Sequence, residues 1–480
     1  VRNVAFFAAL LISPCAVSVA AAGNELVAVR VPLDSDNETC DGCEIVRIDP
    51  DGQTTVLAQE FAAAKDPSVS FDGRTILFAG RPSQEDRWQI WRIDDDGSNL
   101  VTILADDGNA TAPLHVGSLF HLDDERPSGR FVYLSDAHGW GDPVTGKAAT
   151  ALYSADLDGN NRRRISFNIG SDLAPDVLGN GRLVFPSRRA GGRFSVMALN
   201  IDGTDLTAYA DAHTGPLNHD MVAVGQQRVY FISGNALGPL GGGALEYVSR
   251  RRPLRVRGAI AATGESRFHS PQPQADGSVI VSALAKGGRS GYRLIRLDPE
   301  TGRTMAEIAA ADGYHLVDAQ VLSPRPEVQG RSSFVNPDQS TGVFFCVSSH
   351  ISDRPGLRDA VRSATQLRVI EGIPSAPGAP SSAPTARRTL GILPIERDGS
   401  FHIEVPDSIP VVFELLNAAG ELLARQDHWV WVMPRESRGC IGCHEDREMV
   451  PPNTLAAAVV KPAVRLPMET ETPEQTGDRQ

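Results

Sequence analysis

Short apolar or alternating runs, each ended by a tight polar turn, recur along the first two thirds of the chain. "EIVRIDPDG" ends at Gly52, "QIWRIDDDG" at Gly97, "LYSADLDG" at Gly159, "VMALNIDG" at Gly203 and "LIRLDPETG" at Gly302. Gly264, in "GAIAATGE", fills the remaining gap. Each run reads as a strand, an Asp-Gly hairpin turn and a further short strand such as "LVTIL". From Gly52 to Gly302 the spacing averages about 50 residues, the period of propeller blades.

A second set of segments precedes these turns: "DPSVSFDGRTILFAG" from Asp66, "LAPDVLGNGRLVFPS" from Leu173, "HDMVAVGQQRVYFIS" from His219 and "HSPQPQADGSVIVSA" from His269. Each predicts the inner strand of a blade, a turn and the second strand. "HVGSLF" from His115 fits with a longer insertion. "ELVAVRV" has no inner strand before it, and "HLVDAQVLS" from His315 has no second strand after it. Joined, these two orphans complete a sixth blade and close the ring through the chain ends. Aligned this way, Lys65, His115, Leu173, His219, His269 and His315 occupy one position at the start of the inner strands. The four histidines are either hydrogen-bond ties for blade loops or a polar, metal-binding mouth.

After about residue 330 the pattern changes. "TGVFFCVSSHISD" and "TQLRVIEGI" read as strands, and residues 374–388, "PSAPGAPSSAPTARR", as a flexible loop. Then "TLGILPIERDGSFHIEVP", "IPVVFELLNAAGELLARQ" and "HWVWVMP" alternate with period two, which suits a small β-sandwich. The expected architecture is mainly β, a six-bladed β-propeller over residues 26–327 followed by a β-sandwich-like domain over 330–436. A C-terminal segment, 437–465, and a polar tail, 466–480, complete it.

That segment opens with "RGCIGCHEDRE". Two cysteines three apart followed by a histidine form the attachment sequence of a c-type haem. On one helical turn Cys440 and Cys443 would project from one face and form thioethers to the two vinyl groups, with His444 the axial ligand of the iron. A structural disulfide or half a zinc site are the alternatives, although no second CxxC follows. One covalent haem per chain is the expectation.

Composition narrows the setting. Residues 1–22, with Arg2 before a short apolar run and Ala20, Ala21 and Ala22 before Gly23, read as a secretory signal, so a periplasmic or otherwise exported protein is expected. Cys15 behind Pro14 is a poor lipoprotein site, and no stretch reaches the length of a membrane span. A formal charge of −13 argues against nucleic acid and anionic lipid as partners. Cys40 and Cys43, a CxxC without a following histidine, predict a local disulfide. "GPLGGG" at 238–243 lacks the spacing of a nucleotide fingerprint and reads as a blade loop.

The repeats of the "WQIWRIDDDG" kind, the stretch "DGSFHIEVP…VVFELLNAAGELL…HWVWVMPRESRGCIGCHEDRE" and the trailing "VPPNTLAAAVVKPAV" resemble proteins related to the hydrazine synthase alpha subunit. The repeats alone also resemble TolB-type propellers. The likeness covers roughly residues 26–465 and is most specific over 398–452. It implies a secreted propeller followed by a middle domain with one c-type haem. The alpha subunit of that family continues into a further haem domain whereas this sequence ends, so the haem domain carries over and hydrazine synthesis does not. The resemblance also implies that Cys346, entering this domain, could serve a zinc ion together with His444, leaving the iron to another residue; the alternative is a buried structural thiol.

His428, His350, His402, Met433, Met449 and Met468 are the further candidates for a sixth iron ligand. None follows the motif at a telling distance, which favours an open iron site. Two function classes follow. One is a haem redox protein with a redox partner, carrying electrons or acting as an oxidoreductase on a small nitrogen or oxygen species. The other is a propeller-based binding or assembly protein in which haem is sensory or structural.

Overall fold

The computed structural model describes residues 24–35, 40–121, 128–189, 192–210, 218–234, 241–262, 264–287, 291–380, 385–443, 450 and 453–466. The expected signal at 1–22, with Cys15, and His444, Met449 and Met468 lie outside the described residues, as do the side chains of residues 218–221.

Six antiparallel units form the propeller, five of four strands and one, the third blade, whose four strands gain a short parallel fifth, Arg331–Ser332. The first blade is closed as the orphan segments predict: the late strand Tyr314–Val321 pairs with the first strand, Leu26–Pro32, from Val321 opposite Leu26 to Tyr314 opposite Pro32. Joining the two ends of the chain removes the exposed edges that an open ring would leave. Five of the six predicted glycine turns lie between the third and fourth strands of a blade. Gly264 does not. In the fifth blade those strands are Ala244–Ser249 and Arg257–Ala259, linked by a turn rich in arginine and without glycine, and Gly264 precedes the inner strand of the sixth blade.

Four of the inner strands share a bulge that the sequence pattern does not reveal. Asp66, Ala112, Ser270 and Asp318 have positive φ, 46–56°, where the ladders of the second, third, sixth and first blades skip residues. The residues just before the bulges are Lys65, Thr111, His269 and Val317. His115 therefore sits four residues beyond its blade's equivalent position, and His315 two residues before it, so the expected ring of equivalent histidines does not form. His115, His269 and His315 each make a local bond of their own instead. His115 Nδ1 meets Ser68 Oγ at 3.0 Å, His315 Nδ1 accepts from the backbone N–H of Tyr292 at 3.0 Å, and His269 Nδ1 meets Ser270 Oγ at 2.5 Å. Among the described residues no group of three His, Cys, Asp or Glu side chains is disposed to hold a metal.

Burial makes His115 a determinant of acid stability. Desolvation, aided by nearby Arg325, lowers its pKa from 6.5 to about 4. Between those values the unfolded chain binds the proton and the folded one does not, so stability falls as pH drops from about 6.5 to about 4, by at most about 3 kcal/mol. Buried Asp176 and Asp318, raised to about 6, act in the opposite direction below pH 6. His115→Gln should lower stability at pH 7 by about 1 kcal/mol through the altered bond to Ser68, and should lose less stability on acidification than the wild type. Urea midpoints at pH 7 and pH 4.5 measure both effects; an unchanged acid slope would refute the assignment.

From residue 323 the chain straps across one face of the propeller. Arg325 donates to the carbonyls of Ser70 (2.9 Å) and Val69 (2.6 Å), the Gln329 carbonyl abuts Gly117 and Gly181, and Arg331 donates to the carbonyl of Asn180 at 3.0 Å. This carries the chain from the second blade to the fourth, where the β-sandwich begins.

Two four-stranded sheets build the sandwich. One orders Ser437–Cys440, Thr341–Cys346, Phe401–Pro406 and Val464–Arg465; the other orders Ala386–Pro394, Gln366–Ile373, Val411–Leu416 and Leu422–Arg425. The alternation legible in the sequence is the burial pattern: Phe344 and Cys346 point inward from their strand, as do Phe401, Ile403 and Val405 from theirs. The core does not stop at the sandwich. Phe344, Val369, Leu415 and Trp431 belong to one buried cluster with Ile165, Phe167, Met197 and Leu206 of the third and fourth blades. No helix among the described residues is long and apolar enough to cross a membrane.

Candidate haem site

Cys440 ends the edge strand Ser437–Cys440, and Cys443 lies in the bend that follows, so the two do not share the helical turn that their spacing suggests. The neighbouring strand and its outgoing loop hold them instead. Strand Thr341–Cys346 runs parallel alongside, with Phe345 opposite Gly439 and Cys346 opposite Cys440. Beyond it, the backbone N–H groups of Val347 and Ser348 donate to the carbonyls of Cys440 and Ile441, at 2.9 and 3.1 Å. The N–H of Cys443 returns the favour to the Ile351 carbonyl at 2.8 Å. The fit leaves no room for side chains at the two glycines: a Cβ on Gly439 would lie 2.5 Å from the Phe345 ring, and one on Gly442 would lie 2.5 Å from the Ile351 carbonyl oxygen.

The charged lead-in "PRESRGC" fastens this strand to the fourth blade. Glu436 accepts from the N–H of Met433 at 2.7 Å and from that of Asp205 at 2.8 Å, and burial raises its carboxyl pKa against the pull of Arg438. Arg438 donates to the carbonyls of Trp431, at 3.1 Å, and Leu206. Trp431 donates its indole N–H to the Gly203 carbonyl at 3.2 Å, and Ser333 donates to Asp202 at 2.8 Å. The Asp202–Leu206 turn, one of the repeated Asp-Gly turns, is thus the dock for the segment that carries the motif.

Between these surfaces lies a cavity of about 460 Å³. Cys440, Cys443 and Cys346 line it from the sandwich's first sheet, Phe413, Leu415 and His428 from the second sheet and its outgoing loop, and Met197, Leu206, Thr207, Ala208 and Ala210 from the outer strands of the fourth blade. The propeller therefore offers this cavity its flank, not the mouth of its channel. At the rim Asp427 accepts from Arg189 of the fourth blade at 3.2 Å and from Arg354 of the sandwich at 2.9 Å, clasping the two parts together.

The sequence candidates divide sharply. Cys440, Cys443, Cys346 and His428 meet at the cavity. His350 is engaged with the Ala364 carbonyl at 3.0 Å, His402 with that of Lys461 at 3.0 Å, and Met433 is buried against Gly203. Cys346 is 1% exposed and level with Cys440. Arg189, Arg354, Asp427, Glu436 and Arg438 escape sequence reasoning; only the run of charges just before the motif hinted at any of them. Cys40 and Cys43 are bridged, as expected, far from this site in the first blade.

The family described as the hydrazine synthase alpha subunit middle domain matches residues 348–445. The hydrazine synthase subunit alpha of Kuenenia stuttgartiensis is 22% identical over 500 aligned residues, covering 81% of this chain and 61% of that protein. The chain thus spans about 61% of the length of this curated relative. A solved structure of Kuenenia stuttgartiensis hydrazine synthase superposes with a TM-score of 0.80 at 17% identity, covering 91% of this chain and 71% of the other. TolB from Acinetobacter baumannii aligns with a TM-score of 0.44 at 12% identity, over 62% of this chain and 66% of that one. Six of the eight sandwich strands, the motif-bearing one among them, and all of the 347–351 cradle but Val347 fall within the matched family segment, and the chain is related to the hydrazine synthase alpha subunit.

Proposed function

We propose that this is an exported redox protein that carries one c-type haem, attached through Cys440 and Cys443, in the cavity between the sandwich and the fourth blade. The observation that carries the reading is that both motif cysteines line one cavity, whose volume lies within the range of about 300–1,000 Å³ usual for cofactor sites. The remaining walls suit the group. Phe401, Phe413, Leu415 and Val430 supply an apolar surface that excludes water. His444, next in sequence, is the expected axial ligand. Cys346 could instead share a zinc ion with His444; its burial beside Cys440 is equally that of a structural thiol.

Bound haem supplies single-electron transfer and, at an open iron, binding of small nitrogen or oxygen species. The chain's own residues fix where this happens. The backbone bonds from 347–351 hold the two thiols in place, and Glu436 and Arg438 tie their strand to the propeller. A disulfide at Cys40 and Cys43 suits an oxidising compartment, which supports export. Because the chain spans only part of its relative, the haem domain's redox or nitrogen chemistry is proposed here, not the relative's whole reaction, and a redox partner protein is expected. The test is haem stoichiometry in protein made by a host with haem-attachment machinery: one haem per chain that survives denaturation and acid-acetone extraction supports the reading, and none defeats it.

A further inference from the structure

The Asp427 clasp and the histidine beside it carry one step more. His428 follows Asp427 in the segment that leaves strand Leu422–Arg425 and returns to pair, at Val430, with Val411. It is half-buried, and it lines the cavity from the opposite sheet to Cys440 and Cys443. Among the described residues it is the one histidine in the cavity wall. Its sequence distance from the motif gives no hint of this, because the fold brings the two sheets to one opening. Met197 offers the wall's thioether, but it is 4% exposed and packed into the cluster shared by blade and sandwich. An imidazole that reaches the cavity is the better placed donor.

The residue before it is not a bystander. Asp427 is held from two sides, by Arg189 of the fourth blade and Arg354 of the sandwich, and the backbone that carries His428 is held with it. We infer that His428 is the second protein ligand of the haem iron, and that the Arg189–Asp427–Arg354 clasp is its positioning device, so that docking of the propeller sets the iron's coordination. The inference rests on the haem reading above. It makes the protein an electron carrier, with both axial positions filled, in place of the open site that sequence spacing favours. It also gives the propeller a role in the haem chemistry without any part for its central channel.

Optical spectra of the haem-loaded full chain test this. The wild type should be low-spin and should not take up carbon monoxide. His428→Ala should keep its covalent haem, turn high-spin and bind carbon monoxide, and added imidazole should restore the low-spin spectrum, which separates loss of a ligand from loss of the fold. Asp427→Asn, which keeps the imidazole but weakens the clasp, should give mixed spin states and partial uptake of the gas. A wild type without covalent haem sinks both the haem reading and this inference. A haem-bearing wild type that is high-spin and binds carbon monoxide leaves the haem reading intact and overturns the assignment of His428. A low-spin spectrum unchanged in His428→Ala but lost in Met197→Leu does the same.

Discussion

Replacing Cys440 and Cys443 together by serine should abolish the proposed covalent haem while leaving the propeller folded. Each thioether fixes the porphyrin independently of the iron, so the double variant should release any pigment on acid-acetone extraction, where the wild type retains it. The single variants should keep reduced amounts through the remaining bond. The substitution is mild for the fold. Both side chains face the cavity and are only partly buried, and the bonds that hold this stretch run through its backbone, from Val347 and Ser348 to the carbonyls of Cys440 and Ile441 and from Cys443 to Ile351. Far-ultraviolet circular dichroism should therefore be unchanged apart from the lost haem. Pigment that survives extraction from the double variant would show that the attachment lies elsewhere in the chain. Cys346 is the residue then to replace, because it is level with Cys440 on the adjacent strand.

How much of this was legible in the sequence depended on how local its cause was. The blades were legible because a hairpin is a short-range object: an Asp-Gly turn between two apolar runs needs nothing from the rest of the chain. Ring closure was legible too, since the first and last segments each lacked a partner. The fifth blade's arginine-rich turn was missed because its hairpin lacks the glycine that marks the others, and Gly264, nearby at the right spacing, took its place in the alignment. The histidine alignment failed for a different reason. A bulge adds residues that pattern matching cannot count, so histidines of different structural rank were lined up as equals. At the site, the attachment motif was plain. Its walls were not, because they come from distant parts of the chain: Asp427 meets Arg189 across 238 residues and Trp431 meets Gly203 across 228. No periodicity within either segment encodes the pairing. The strand-and-bend geometry of the motif was equally hidden, since the parallel partner that imposes it lies almost a hundred residues upstream.

Trp431→Ala should be the most damaging single substitution outside the haem attachment. The side chain is 2% exposed, its ring meets Phe167 of the third blade edge-on with centroids 6.0 Å apart, and its indole N–H caps the Gly203 carbonyl. Truncating so large a buried aromatic costs about 3–5 kcal/mol, through lost contacts and the cavity left behind. What sets this site apart is where that energy acts. The buried cluster containing Trp431 runs without a break from the blades into the sandwich, so the wild type should unfold in one cooperative step, with circular dichroism and haem absorbance changing together. In Trp431→Ala the coupling is weakened at its centre, and the haem signal should be lost at lower denaturant than the bulk of the β-structure. Gly203→Ala approaches the same joint from the other side. Its backbone has a φ of +90°, and a Cβ there would lie 2.8 Å from the Met433 sulfur and 2.9 Å from the Ile165 carbonyl oxygen. It should therefore produce the same separation of the two transitions, and two probes that stay superimposed in both variants would mean that the sandwich and the propeller are not held together here.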